Sequence, residues 1–526
     1  MPKALSRSNS SSAITNHSVK VPPLSTYKPP HLSDEYHTAI MNSQRVLNSE
    51  NINPNLKKAQ YAVRGAIATK SEDYRHKLAA MVAGIDNADT TQLPFDAVIS
   101  ANIGNPQQLD QHPITFFRQV LSIMEYPALL KTEGIFPEDV KERARDLLKA
   151  VGSVGAYSQS QGVLHVRQSV ARFIESRDGF PADPNSIFLT AGASAGVNVL
   201  LNTICASPST GILIPIPQYP LYTATLALLN AKPVPYYLEE NKHWGTNIEI
   251  LRASLNEARS NGVDVRCIVV INPGNPTGAS LQESDIEAVI ELAAEEKLII
   301  MADEVYQTNI YRGEFHSFKK VLRKLETQNS AKYSHVELIS LHSTSKGMVG
   351  ECGHRGGYFE LVNFDPEVVA QVYKLVSITL CPPVIGQCLV ELMVNPPREG
   401  EPSSELYQKE FNHIYEGLKN RANTLQKVFN SMTGVSCQDP QGAMYLFPTI
   451  TLSEKAQQKA KEEGFKPDEY YCLRLLDATG VCVVPGSGFG QVDGTWHFRT
   501  TFLPPGTAWT ERVRKFHEAF IVEFEE

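Results

Sequence analysis

The stretch Arg266-Cys267-Ile268-Val269-Val270-Ile271-Asn272-Pro273-Gly274-Asn275-Pro276 decides how this chain is built. Its first six residues form a short apolar run rich in β-branched side chains, and the Asn/Pro/Gly cluster that ends it predicts a buried strand with a tight exit loop. Downstream, Ser284-x-x-Glu287 has the spacing of a capping box, and Ile286, Val289, Ile290 and Ala293 recur at i, i+3, i+4 and i+7. That pattern predicts a helix with one apolar face. Leu298-Ile299-Ile300-Met301 predicts the next strand. Strand, helix, strand over this distance implies a right-handed crossover, hence a mainly parallel sheet covered by helices on both faces. In such sheets ligands bind beyond the carboxyl ends of the strands.

Two similar units flank this one. Ile187-Phe188-Leu189 leads into Ala191-Gly192-Ala193-Ser194 and a helical stretch to about Cys205, and Val336 to Leu341 leads into His342-Ser343-Thr344-Ser345-Lys346. In all three units the polar residues collect where strands end. From about Pro396 the pattern changes to long charged helices (Ser404 to Met432) with a short strand at Val481 to Val484, which predicts a second, smaller domain.

Composition narrows the function classes. With 526 residues, 42% hydrophobic and 20% charged, the chain can bury sizeable cores and does not have the make-up of a disordered protein. Forty-nine basic against 57 acidic residues leave a net charge of -8, and no long Lys/Arg run is present, so no nucleic-acid-binding surface is expected. The longest apolar runs fall far short of the roughly 18 residues of a membrane span, so no membrane partner is expected either. Eight cysteines are scattered without a C-x-x-C pair or a histidine at zinc spacing, which predicts reduced thiols and no metal site. The first 33 residues carry Lys3, Arg7, Lys20 and Lys28, many serines and no acid before Asp34. A disordered tail over residues 1–40 and a cytoplasmic location are the primary expectation; a transit peptide directing the chain to the mitochondrial matrix is the alternative.

The strand-end residues suggest a particular chemistry. A site for pyridoxal 5'-phosphate (PLP) needs an amine to bond the cofactor's aldehyde, a carboxylate to keep the pyridine nitrogen protonated, and anion-binding groups for the phosphate. Lys346, in Ser343-x-Ser345-Lys346, offers the amine. S-x-S-K alone arises by chance in roughly one chain of this size in seven, and taken alone it reads more simply as a solvated loop lysine. Asp303, at the end of an apolar strand, is costly to bury unless a cation meets it; a helix cap or surface turn would also explain it. Gly192-Ala193-Ser194 opens a helix whose free N–H groups can hold a phosphate, although a plain serine cap reads the same way.

Taken together and in this chain order, these segments resemble the fold-type I PLP enzymes of the aspartate aminotransferase superfamily. The resemblance implies that Lys346 bonds the cofactor and Asp303 pairs with its pyridine nitrogen. It further implies that Asn275 and Tyr306 contact its phenolic oxygen and that Tyr219 stacks on its ring. For the phosphate it points to Ala193, Ser194, Ser343 and Arg355, with Tyr157 reaching in from a second subunit of a homodimer. Lys346 and Arg355 are nine residues apart where the broad family has eight. That spacing fits a narrower family: Asn102 to Gln107, Ile214 to Tyr222, His342 to Gly347, Val484 to Gln491 and Tyr61 to Gly65 are similar to segments of eukaryotic alanine aminotransferases. In that family the arginine of His497-Phe498-Arg499 binds the substrate α-carboxylate, which identifies Arg499, with Gly104, Asn105 and Asn275 lining the same pocket. Lys346, Asp303 and Tyr306 then form the catalytic set.

The implied fold is α/β, with a large PLP-binding domain over residues 116–395 and a smaller α+β domain assembled from 41–115 and 396–526. The implied reaction is a ping-pong exchange between L-alanine and 2-oxoglutarate giving pyruvate and L-glutamate. Three rivals share these residues: a lyase of the same fold, a glutamate:glyoxylate aminotransferase, and a catalytically silent paralogue. The C-terminal Phe524-Glu525-Glu526 is not a peroxisomal address, which weighs against the second. His342 and His354 neighbour the site and are read as packing residues.

Overall fold

The computed structural model of the chain describes residues 46–61, 65–83 and 93–525; the expected tail and Ala62 to Arg64 lie outside them. The chain divides into Met1–Pro54 and Asn55–Glu526, and every element named next belongs to the second unit.

A two-residue strand, β1 (Ile99–Ser100), precedes a seven-stranded sheet. The strands of that sheet are β2 (Ile187–Thr190), β3 (Thr210–Ile216), β4 (Lys232–Tyr237), β5 (Asp264–Ile271), β6 (Ile299–Asp303), β7 (Leu338–Ser343) and β8 (Gly357–Val362). Their order across the sheet is β2-β8-β7-β6-β5-β3-β4. From β7 to β4 all neighbours run parallel, whereas β8 is antiparallel to both β7 and β2. Period-two alternation feeds two cores. Along β5, Cys267 and Val269 pack with the helices Ala193–Ile204 and Leu221–Leu229. Ile268 and Val270 pack on the opposite face with the helices Ile248–Ser260, Glu283–Glu296 and Phe318–Gln328. The apolar stripe Ile286, Val289, Ile290 and Ala293 is fully buried there.

Several boundaries differ from the sequence reading, each for a local reason. The capping box of Glu283–Glu296 is made by Gln282 and Asp285, so Ser284 sits inside the first turn and does not cap it. β6 and β7 run through Asp303 and Ser343, because ladder pairing continues past the apolar run. The helix after β2 is capped by Gly192 in a left-handed conformation (φ 83°), with no side-chain cap from Ser194.

Six short strands follow: β9 (Val435–Ser436), β10 (Tyr445–Leu446), β11 (Thr449–Ile450), β12 (Val481–Cys482), β13 (Val484–Pro485) and β14 (Phe498–Thr501). Val481 to Val484 is therefore two strands rather than one. β12 pairs with β1, β9 with β11, and β14 lies between β10 and β13. The 27-residue helix Ser404–Asn430 buries Leu418, Ala422, Leu425 and Phe429 in their common core. Among the described residues, no helix is long and apolar enough to cross a membrane.

Candidate active site

A cavity of about 320 Å³ opens at the carboxyl ends of the central strands. It collects Lys346, Asp303, Tyr306, Tyr219, Asn275, Ala193, Ser194, Ser343, Arg355, Arg499, Gly104 and Asn105, drawn from segments nearly 400 residues apart. Tyr157 is elsewhere: it is 79% exposed and lines a separate cavity with Ser158 and His165.

Asp303 closes the floor. It is buried, accepts a hydrogen bond from the Tyr222 hydroxyl at 2.7 Å and one from the Val305 N–H at 3.4 Å. Burial raises its pKa above the ordinary carboxylate value, and the Tyr222 and Val305 donors together with the Lys346 charge oppose that rise. The Lys346 ammonium lies 3.4 Å from the Gly104 carbonyl and 5.6 Å above the Tyr306 ring. A Cβ on Gly104 would collide with the Tyr445 hydroxyl and press on Lys346, so only glycine fits this wall. Tyr306 donates to the Tyr445 hydroxyl at 3.3 Å. Burial drives the Tyr306 phenol up; in Tyr445 the same effect is outweighed by the Lys346 and Arg499 cations, which hold it below its usual value.

At the opposite end is an anion cradle. The helix Ala193–Ile204 starts here with free first-turn N–H groups and the positive end of its dipole. The Arg355 guanidinium lies directly against Gly192, where any Cβ would clash with it, and donates to the Ala191 and Cys352 carbonyls at 3.0 and 2.9 Å. Arg355 itself has a left-handed backbone (φ 57°), the conformation with which the nine-residue spacing brings its side chain to the helix start. Ser343 and Ser345 complete the rim; the Ser343 hydroxyl accepts from the Ser345 N–H at 3.1 Å.

Arg499 lines the same cavity. It is 1% exposed, and its guanidinium lies 4.1 Å from the centre of the Tyr445 ring and 4.7 Å from that of Phe489. It donates to Asn275 Oδ1 at 3.0 Å and to the Asn102 carbonyl, while its Nε has no partner. Among the described residues no carboxylate forms an ion pair with it. A buried, ring-stacked fork of this kind is suited to a planar carboxylate.

Three contributors escaped the sequence reading: Tyr222, Tyr445 and Phe489. Tyr222 and Phe489 lie in quoted segments and Tyr445 in none; the partners of the two tyrosines, Asp303 and Tyr306, are distant in sequence. His342 is buried and stacked on Phe173, and burial pushes its pKa down to about 3; it stays a neutral packing residue.

Comparison with known proteins agrees with this fold. Residues 120–513 match the family described as aminotransferase class I and II. The chain is 52% identical over 488 residues to the mitochondrial alanine aminotransferase of Saccharomyces cerevisiae, covering 91% of this chain and 81% of that one. It is 48% identical over 492 residues to alanine aminotransferase 2 of Xenopus tropicalis, covering 91% of each. It is 47% identical over 488 residues to an inactive alanine aminotransferase of Saccharomyces cerevisiae, covering 91% and 95%. In fold it is similar to the solved alanine aminotransferase from Pyrococcus furiosus, with a TM-score of 0.69, 24% identity, and 90% and 100% coverage. The chain belongs to the class I and II aminotransferases.

Proposed function

We propose that the chain catalyses the reversible, PLP-dependent transfer of the amino group from L-alanine to 2-oxoglutarate, giving pyruvate and L-glutamate. One observation carries the reading: a lysine amine, a buried carboxylate and an unpaired, ring-stacked arginine face one cavity.

The donor set fits PLP. Gly192 leaves space that Arg355 fills, the helix start has uncapped N–H groups, and Ser343 and Ser345 stand beside them, as a phosphate requires. Asp303, with no cation of its own in hydrogen-bond contact, suits a protonated pyridine nitrogen; Asn275 and Tyr306 suit the phenolic oxygen, and Tyr219 the ring face. When bound, PLP supplies an electron sink for the charge left on the substrate Cα. Arg499 holds the α-carboxylate, with Gly104, Asn105 and Asn275 completing the pocket. The Lys346 Nζ is the amine placed to act as general base on the Cα proton and, in reverse, as general acid. Tyr445 and Phe489 exclude water from the arginine and strengthen its hold on the carboxylate.

We further propose a large cofactor domain over 116–395, a small domain from 41–115 and 396–526, and a homodimer in which Tyr157 serves the second subunit's phosphate site. For location, the mitochondrial matrix replaces the cytoplasm as the favoured reading, because the Saccharomyces cerevisiae relative is named mitochondrial.

The test is direct. The purified protein should show a visible PLP absorption band that L-alanine bleaches and 2-oxoglutarate restores. No change with alanine sinks the proposal and favours a silent paralogue, the condition named for the inactive relative. Running 2-oxoglutarate and glyoxylate in parallel separates the glyoxylate-specific alternative.

A further inference from the structure

The turn after β4 has an unusual backbone and a specific set of contacts. His243 and Trp244 are consecutive non-glycine residues in the left-handed region, at φ 55° and 61°. Such conformations cost energy and persist only where surrounding structure enforces them. Here the Trp244 N–H donates to the Glu239 carbonyl at 2.9 Å and a bridge between Glu239 and Gly245 closes the turn. The result presents two side chains, Glu240 and the buried Trp244, to one residue of the C-terminal strands: His497.

His497 is 1% exposed. Its Nε2 lies 3.2 Å from Glu240 Oε2 and its Nδ1 2.9 Å from Gln491 Oε1; Gln491 is oriented by its amide donating to Asp468 at 3.3 Å. Thr449, on β11, donates to the other oxygen of Glu240. The imidazole stacks on Phe447 at 4.7 Å with 1° between planes, and Trp244 packs edge-on against it at 5.6 Å. Phe447 in turn meets Phe489 edge to face at 5.9 Å, and Phe489 underlies the Arg499 guanidinium. His497 also lies two residues before Arg499, immediately ahead of β14, where it bridges to Thr449.

We propose that the turn Glu239–Gly245 is a positioning device for Arg499, acting through Glu240 and His497 to set affinity for the substrate carboxylate. It acts by two routes, the backbone entering β14 and the Phe447–Phe489 stack beneath the guanidinium. The turn touches no reacting atom, so it governs binding and leaves the proton transfer at Lys346 alone. The inference rests on the aminotransferase reading for the identity of the carboxylate.

The experiment compares the holoenzyme with H497Q, E240Q and the double variant. It measures kcat and KM for L-alanine and 2-oxoglutarate, and the Kd of propionate, which is alanine without its amine, by calorimetry. Each single variant should raise both KM values and the propionate Kd by about tenfold, the effect of losing one hydrogen bond to a charged group, with kcat little changed. The double variant should be no worse than the weaker-binding single one, since both remove one link. Unchanged KM and Kd in E240Q, multiplying effects in the double variant, or a fall in kcat at constant KM would overturn the proposal. Should H497Q not fold, E240Q and E240A decide alone, because the Glu240 side chain is 30% exposed and no core depends on it. A wild-type protein that binds propionate but does not transaminate would sink the functional reading while leaving the turn testable by Kd.

Discussion

Asp303 and Glu304 are neighbours at the end of β6, both buried acids, both pushed toward the neutral form by burial, yet they face opposite surroundings. Asp303 opens on the cavity and takes hydrogen bonds from Tyr222 and Val305. Glu304 turns away from it. One of its oxygens accepts from the Phe318 N–H at 2.8 Å and the other from the Ser340 hydroxyl at 2.6 Å. Nearby, Arg177 forks onto Asp178 at 2.7 and 2.6 Å and donates to Gln307 at 2.8 Å. Burial perturbs both acids, so a shifted pKa by itself does not mark the functional one. Each has a protein donor on both oxygens, so what separates them is that Asp303 lines a space a ligand can enter and Glu304 does not.

The comparison can be broken at several points. The largest effect is expected on the cavity side: Lys346→Ala should lower turnover on the order of 10⁴-fold, measured by the coupled alanine assay, while keeping weak PLP binding. Asp303→Asn should lower kcat/KM by roughly 10³-fold with little change in Tm, because the cation it would meet loses its partner. Arg499→Lys should lower kcat/KM by roughly 10²-fold, mainly through KM for both substrates, since an ammonium cannot fork onto a carboxylate between two rings. Tyr222→Phe should cost about tenfold in kcat/KM by removing the hydroxyl that fixes Asp303.

Glu304→Gln should leave turnover at the wild-type level and change the pH dependence of stability instead. Burial lifts Glu304 from 4.5 to about 7, so the folded protein holds this proton more tightly than the unfolded chain. Its contribution to stability is complete below about 4.5 and is lost as pH rises through about 7. The Tm of wild type relative to E304Q should therefore fall across that window. A loss of activity in E304Q, with Asp303→Asn harmless, would reverse the assignment of the two acids.

Much of the fold was legible because Arg266 to Met301 states its periods plainly, and β5, the helix Glu283–Glu296 and β6 follow them. The cavity residues were legible mainly through resemblance: Lys346, Asp303 and Ser194 stood at strand or helix ends where plainer roles also fit, and Tyr219, Arg355, Arg499, Gly104 and Asn105 were pointed to by family motifs. The antiparallel β8 was not, since Gly357 to Val362, interrupted by Glu360, carries no mark of direction. Nor were Tyr222 and Tyr445, whose roles arise from partners 81 and 139 residues away. Ser284 misled because hydroxyls in a first turn look alike until the backbone shows which residue precedes it.

The place of β8 in the sheet also imposes an order on synthesis. β2 pairs with β8 alone, so the helix start at Gly192 cannot be seated until residue 362 has been made. At the usual rate of about 5–20 residues per second, β2 waits roughly 10–30 seconds on the ribosome for its only ladder partner. The floor made by Tyr222, Asp303 and Val305 is therefore present in a nascent chain before the cradle at Gly192, which waits for β8, and Arg499, near the C-terminal end, comes last.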